Sequence, residues 1–140
     1  MDVDSLVNYY SERLFESWKK HGFINILVDF DDTLYSNISI FQQLCDDVVN
    51  TLKEAKALKA RLILWTCRAG DYLEEAIKYA KDYLDLEFVD VNPHNPNSPL
   101  SHKAFGHIQL DDRAGLPQAL QILKLALYKY KRYLNERNGY

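Results

Sequence analysis

The sequence predicts an α/β protein, a three-layer sandwich around a central parallel sheet. Two observations carry this. Four short apolar runs recur, each stopping abruptly in polar residues: Ile24–Val28, Leu62–Trp65, Glu87–Val91 and His107–Leu110. Between most of them lie segments of ten or more residues with helical spacing of apolar side chains. Strands that alternate with helices call for right-handed crossovers and a parallel sheet.

Taken in order, Leu6, Val7, Tyr10, Leu14 and Trp18 recur at spacings of three and four, which gives an N-terminal helix over 4–21. Gly22 closes it as a C-terminal cap, and the helix is expected on the outside of the sheet. The first strand ends in acids, and a polar stretch at Leu34–Ser39 reads as a loop too short for an inserted cap. Ser39 and Gln42 have capping-box spacing, opening a helix that keeps its period through Leu44, Val48, Leu52 and Ala55 to about Ala60. After the second strand, Gly70 gives a turn and Asp71 an N-cap for a helix over Tyr72–Leu84. Asn92–Ser101, with three prolines and three asparagines, reads as a loop of fixed shape and a candidate rim. A brief helical turn is expected at His102–Phe105. Gly115 and Pro117 announce a last helix over 116–138.

The chain has 140 residues, 47% of them hydrophobic, and a formal charge of −3. That suits a single domain over 1–140 with its own core, the region 24–115 carrying the strands. The acidic balance argues against a nucleic-acid groove, Lys124–Arg132 being the one basic stretch. No signal peptide and no run of membrane-spanning length is evident. Cys45 and Cys67 form no metal or disulfide pattern, and a reducing cytoplasm is the expected compartment. The tyrosines read as helix faces packed on the sheet or on another subunit.

Function concentrates in Ile26–Leu34, ILVDFDDTL, where a strand delivers Asp29, Asp31, Asp32 and Thr33 to an edge of the sheet. Clustered carboxylates raise one another's pKa unless a cation or hydrogen bonds compensate. Oxygen donors without His or Cys beside them suit Mg²⁺ better than Zn²⁺. In an open parallel sheet, ligands bind beyond the carboxyl ends of the strands. Here acids follow the first strand, Thr66 and Arg68 the second, and Asp111 and Asp112 the fourth.

These residues resemble the motifs of the haloacid dehalogenase (HAD) superfamily. Asp29-Phe30-Asp31-Asp32-Thr33 is similar to its Asp-x-Asp-x-Thr, Thr66 ends the strand LILWT, Lys103 stands in SHKAFG, and Asp111 and Asp112 close HIQLDDR. LILWTCRAG followed by a Lys and DDR looks like the small capless HAD-type hydrolases of bacteria and phages. The resemblance implies a Rossmann-like fold with no large cap, and a Mg²⁺-dependent phosphate monoester hydrolase. Asp29 would be the nucleophile that forms an aspartyl phosphate, and Asp31 the general acid and then base. Thr66 would bind a phosphoryl oxygen, and Lys103 would neutralise developing charge and hold the nucleophile ionised. The metal would be held by Asp29, the Asp31 backbone carbonyl and Asp112, with Asp111 in support or in its place.

Four further readings complete the site. Arg68 is either a second phosphate ligand or the partner of an exposed salt bridge to Asp71 or Glu74. Cys67 stands with Thr66, Arg68 and Lys103 among the candidate substrate-binding residues, although a helix or core thiol is its first reading; Asp32 reads as a turn former. His94, His102 and His107 lack metal-ligand spacing.

Other functions use the same residue types. A nucleotidase-type variant would differ only at the rim, and a binding module could keep the fold without turnover. A signalling receiver domain also holds an aspartyl phosphate with acids, Thr, Lys and Mg²⁺. Its acidic pair lies near the start of the chain, whereas here the pair follows the Lys. The expected partner is a phosphorylated substrate, small or macromolecular. An open pocket would be shielded by that macromolecule or by homo-oligomerisation.

Overall fold

The computed structural model describes residues 2–93 and 104–138. Among the described residues nine elements follow one another: α1 (Val3–His21), β1 (Asn25–Val28), a 3₁₀ turn (Ser39–Phe41), α2 (Gln42–Ala57), β2 (Arg61–Leu64), α3 (Gly70–Leu84), β3 (Asp90–Val91), β4 (Ile108–Leu110) and α4 (Leu116–Arg137). The four strands form one parallel sheet in the order β3-β2-β1-β4. This is the predicted Rossmann-like α/β architecture, without a large cap. β1 sits in the interior and pairs with both β2 and β4, so the acids that follow β1 and β4 emerge side by side.

The pleat sorts the strand residues into two packing layers. Ile26, Val28, Leu62, Leu64 and Leu110 join the main core with Leu14 and Trp18 of α1, Val48 and Leu52 of α2, Ala76 and Ala80 of α3, and Leu120 and Leu123 of α4. The alternate residues Leu27 and Ile63 pack with Ala104 and are flanked by Trp65. The connection arriving at β4 therefore covers this second face of the sheet. It comes so close at Gly106 that a Cβ there would lie 2.6 Å from Leu27 Cγ.

Trp18 anchors α1. Its indole is fully buried, stacks on Tyr130 of α4 at 4.8 Å between ring centres, and donates to the Leu58 carbonyl at 3.0 Å. One side chain thereby ties both terminal helices to the end of α2. Gly22 caps α1 at φ +77°, its N–H donating to the Trp18 carbonyl. No helix among the described residues is long and apolar enough to cross a membrane.

Local expectations fail where two caps compete with a turn. The Ser39–Gln42 capping box does not form: Ile38 leads into the 3₁₀ turn without a side-chain cap, and the Gln42 amide donates instead to the Ser36 carbonyl. Likewise Asp71 lies in the first turn of α3 rather than at its N-cap, which is Ala69. α2 stops at Ala57, short of Ala60, because Lys59 takes φ +71° to turn the chain into β2. β3 shrinks to two residues, although Val89 and Asn92 still donate to the carbonyls of Leu62 and Leu64. Ala104 and Phe105 are irregular, and His102 of the expected helical turn lies outside the described residues, as do 94–101 of the proline-rich loop. The tyrosines divide: Tyr130 is core, whereas Tyr9 and Tyr128 are exposed on their helices.

Candidate active site

The turn after β1 is built around Phe30. Its ring is buried, and its carbonyl accepts from the N–H groups of Thr33, Leu34 and Tyr35. Burying Phe30 sends the carboxylates of Asp29 and Asp31, on either side of it, away from the core. Asp32 takes φ +59°, and its carboxylate accepts from the Ser36 hydroxyl at 2.8 Å, the turn-forming role its sequence suggests.

Two hydrogen bonds bring the acids of β1 and β4 together. The Asp29 N–H donates to the Leu110 carbonyl at 3.0 Å, extending the strand pairing by one residue. The Asp112 N–H donates to Oγ1 of the buried Thr33 at 3.1 Å, locking one loop to the other. Asp29, Asp111 and Asp112 consequently offer carboxylate oxygens within 4.8 Å of one another. The Asp31 carboxylate stands apart from this group. It is turned to Arg68, which donates from Nε to Oδ2 at 2.9 Å and from Nη2 to Oδ1 at 2.7 Å. Neither Asp71 nor Glu74, the partners of the alternative reading, pairs with Arg68, because its guanidinium lies over the Tyr72 ring and reaches back to the β1 loop.

The acids open on a cleft of about 770 Å³ lined by Asp29, Asp31, Asp32, Thr66, Cys67, Asp111 and Asp112 together with Trp65, Asn92, Pro93 and Arg113. Thr66 stands on the β2 side. Its N–H is held by Asn92 Oδ1 at 2.8 Å, and its Oγ1 accepts from the Arg68 N–H at 3.1 Å, a bond that does not use the hydroxyl hydrogen. Cys67 is an exposed thiol on this wall, not the helix or core thiol expected; the buried cysteine is Cys45. Burial, then the nearby Asp32, push the Cys45 thiol up to about 11.

Lys103 and His94 lie outside the described residues. His107 is structural, its Nδ1 accepting from the Asn25 N–H at 2.8 Å. Among the lining residues, sequence reasoning missed Trp65, Arg113 and the clasp that Asn92 makes on Thr66. Arg113 follows directly on the acidic pair in HIQLDDR, and Asn92 takes φ +45° at the start of the loop read as a rim.

No family model matches the chain, and no curated protein matches it. Among solved structures, a conserved protein from Bacteroides thetaiotaomicron is 34% identical, with a TM-score of 0.52, over 64% of this chain and 76% of that one. The chain belongs to the family of that conserved protein. At its own strand ends this chain presents mostly charge: five carboxylates and one guanidinium, Arg113, line the cleft.

Such crowding falls hardest on Asp29. Burial first, then a hydrogen bond shared with Asp112 and the charge of Asp111, push its carboxyl from 3.8 up to about 7. The sign follows by linkage. The folded chain keeps a proton on Asp29 that the unfolded chain has already released, so this group's contribution to stability is full below about pH 4 and is lost as pH rises towards 7. In chelator, the Tm of the native chain is expected to fall more steeply between pH 4.5 and 7.5 than that of Asp29→Asn, measured by circular dichroism. Parallel curves would show that Asp29 is not held protonated.

Proposed function

We propose that this chain is a Mg²⁺-dependent phosphate monoester hydrolase of the HAD type, working through an aspartyl phosphate on Asp29. One observation carries the reading: the carboxylates of Asp29, Asp111 and Asp112 converge at the ends of two adjacent parallel strands, with the Thr66 hydroxyl on the same cleft. The donor set fits the metal, being oxygen throughout, with three carboxylates close enough to share one small ion and one of them driven to hold a proton. Asp29, Asp112 and Asp111 would hold it, with the Asp31 backbone carbonyl. When bound, Mg²⁺ would neutralise the phosphoryl and carboxylate charge and keep Asp29 ionised.

The residues then divide the work. An Asp29 oxygen attacks phosphorus as the ester P–O bond breaks, and the leaving oxygen takes a proton from Asp31. Asp31, now ionised, takes a proton from a water that attacks phosphorus and frees Asp29 and inorganic phosphate. Thr66 donates to a phosphoryl oxygen throughout. Lys103, which lies outside the described residues, would neutralise the phosphoryl charge as the resemblance implies. Arg113 adds a cation at the mouth of the cleft. The free thiols of Cys45 and Cys67 agree with a reducing cytoplasm as the working compartment.

Without a large cap the cleft admits both small esters and phosphorylated macromolecules. The test is phosphate release from a broad panel of phosphate esters in Mg²⁺ and in EDTA. Release from at least one ester in Mg²⁺ and none in EDTA is expected; equal release in both would remove the metal, and no release from any ester would remove the hydrolase.

A further inference from the structure

We infer that Arg68 is a positioning residue that acts through Asp31 and does not bind the phosphoryl group. The inference rests on the hydrolase reading above and assigns a role within that site. Two independent observations support it. The first is that each of the three guanidinium nitrogens already has a partner. Nε and Nη2 are committed to the two oxygens of Asp31, and Nη1 donates to the Tyr72 carbonyl at 3.1 Å. The planar group lies 3.6 Å from the centre of the Tyr72 ring and 4.6 Å from that of Phe30, so aromatic rings of the β1 loop and of the first turn of α3 hold it. Turning the fork to a phosphate would break two charge-assisted bonds and leave these rings.

The second observation is location. Asp31, Thr66 and Cys67 line the cleft, and Arg68 does not. Its side chain is only 9% exposed, behind the carboxylate it grips. The Arg68 side chain therefore meets the cleft through Asp31 alone. Its grip decides where the carboxylate points: into the cleft at the leaving oxygen, and away from the Asp29, Asp111 and Asp112 group. A free Asp31, two residues from Asp29, could swing into that acidic group. The bidentate fork fixes the plane of the carboxylate, which a lysine's point charge cannot do.

The test is a double-mutant cycle with phenyl phosphate in Mg²⁺, using the native chain, Arg68→Gln, Asp31→Asn and the pair together. Inorganic phosphate serves as a competitive inhibitor. Arg68→Gln is expected to lower kcat by about 10- to 100-fold, within what a displaced general acid–base group costs. KM and the phosphate inhibition constant should stay within about twofold. In the Asp31→Asn background, Arg68→Gln should cost less than about twofold more, since its effect passes through a group already removed.

Arg68→Lys keeps the charge and the stem, should lose less kcat than Arg68→Gln, and decides the matter if the latter fails to fold. A tenfold rise in KM and in the phosphate inhibition constant with kcat retained would make Arg68 a phosphate ligand and overturn the inference. So would losses that multiply fully in the double variant, with the hydrolase reading left intact. A native chain without turnover on phenyl phosphate or any ester of the panel would overturn both.

Discussion

Phosphate release by Asp29→Asn is expected to fall by roughly 10³-fold or more, the scale at which removal of a covalent nucleophile is felt. The substitution changes one oxygen to nitrogen at the point where β1 meets the cleft. An amide is no nucleophile towards phosphorus, and it withdraws one of three anionic donors from the shared group. It leaves the backbone N–H that pairs with Leu110 in place, so the strand register stays intact. It also removes the charge that burial and Asp112 oppose, so the metal-free variant should be at least as stable as the native chain near pH 7.5. Lost activity with undiminished Tm separates a chemical role from a structural one. A variant that retained a tenth of native release would require another nucleophile.

The largest effect on stability is expected away from the site. Trp18→Ala should cost about 3 to 5 kcal/mol, the range for truncating a buried large aromatic. Three losses coincide: the stack on Tyr130, the indole hydrogen bond that satisfies the Leu58 carbonyl, and the packing that fills the space between the ends of α1, α2 and α4. Trp18→Phe keeps a ring but no N–H and should recover part of the loss. Urea unfolding of the three chains at one pH measures it. An Ala variant within about 1 kcal/mol of native would mean that α1 is not part of the cooperative core.

Much of this was legible in the sequence because its signals are coarse. β1, β2 and β4 are apolar runs that stop at charged residues, and helical spacing marks α1 to α4 clearly. The convergence of Asp29, Asp111 and Asp112 follows from parallel topology once the strand ends are known. Caps were less legible. Ser39 with Gln42, and Asp71, satisfy a local pattern, but the chain has to turn over the site first, and the carbonyl of Ser36 and the left-handed turn of Gly70 take precedence. The Asp2 cap of α1, whose carboxylate accepts from the Ser5 N–H, lies before the first apolar residue of the period.

The pairing of Arg68 with Asp31 could not be read from spacing. Thirty-seven residues separate them, and nearer acids offered a local partner. What decides the pairing is that β1 and β2 are neighbours whose loops leave in the same direction, so that Phe30 and Tyr72 close on one guanidinium. The exposure of Cys67 has the same origin, since the chain after Thr66 runs along the cleft wall before entering α3.

The most direct measurement is a four-way comparison of phosphate release, the native chain and Asp29→Asn each in Mg²⁺ and in EDTA, on the best ester of the panel. Release by the native chain in Mg²⁺ alone is predicted. Release by Asp29→Asn at the native rate, or native release indifferent to EDTA, would contradict the account.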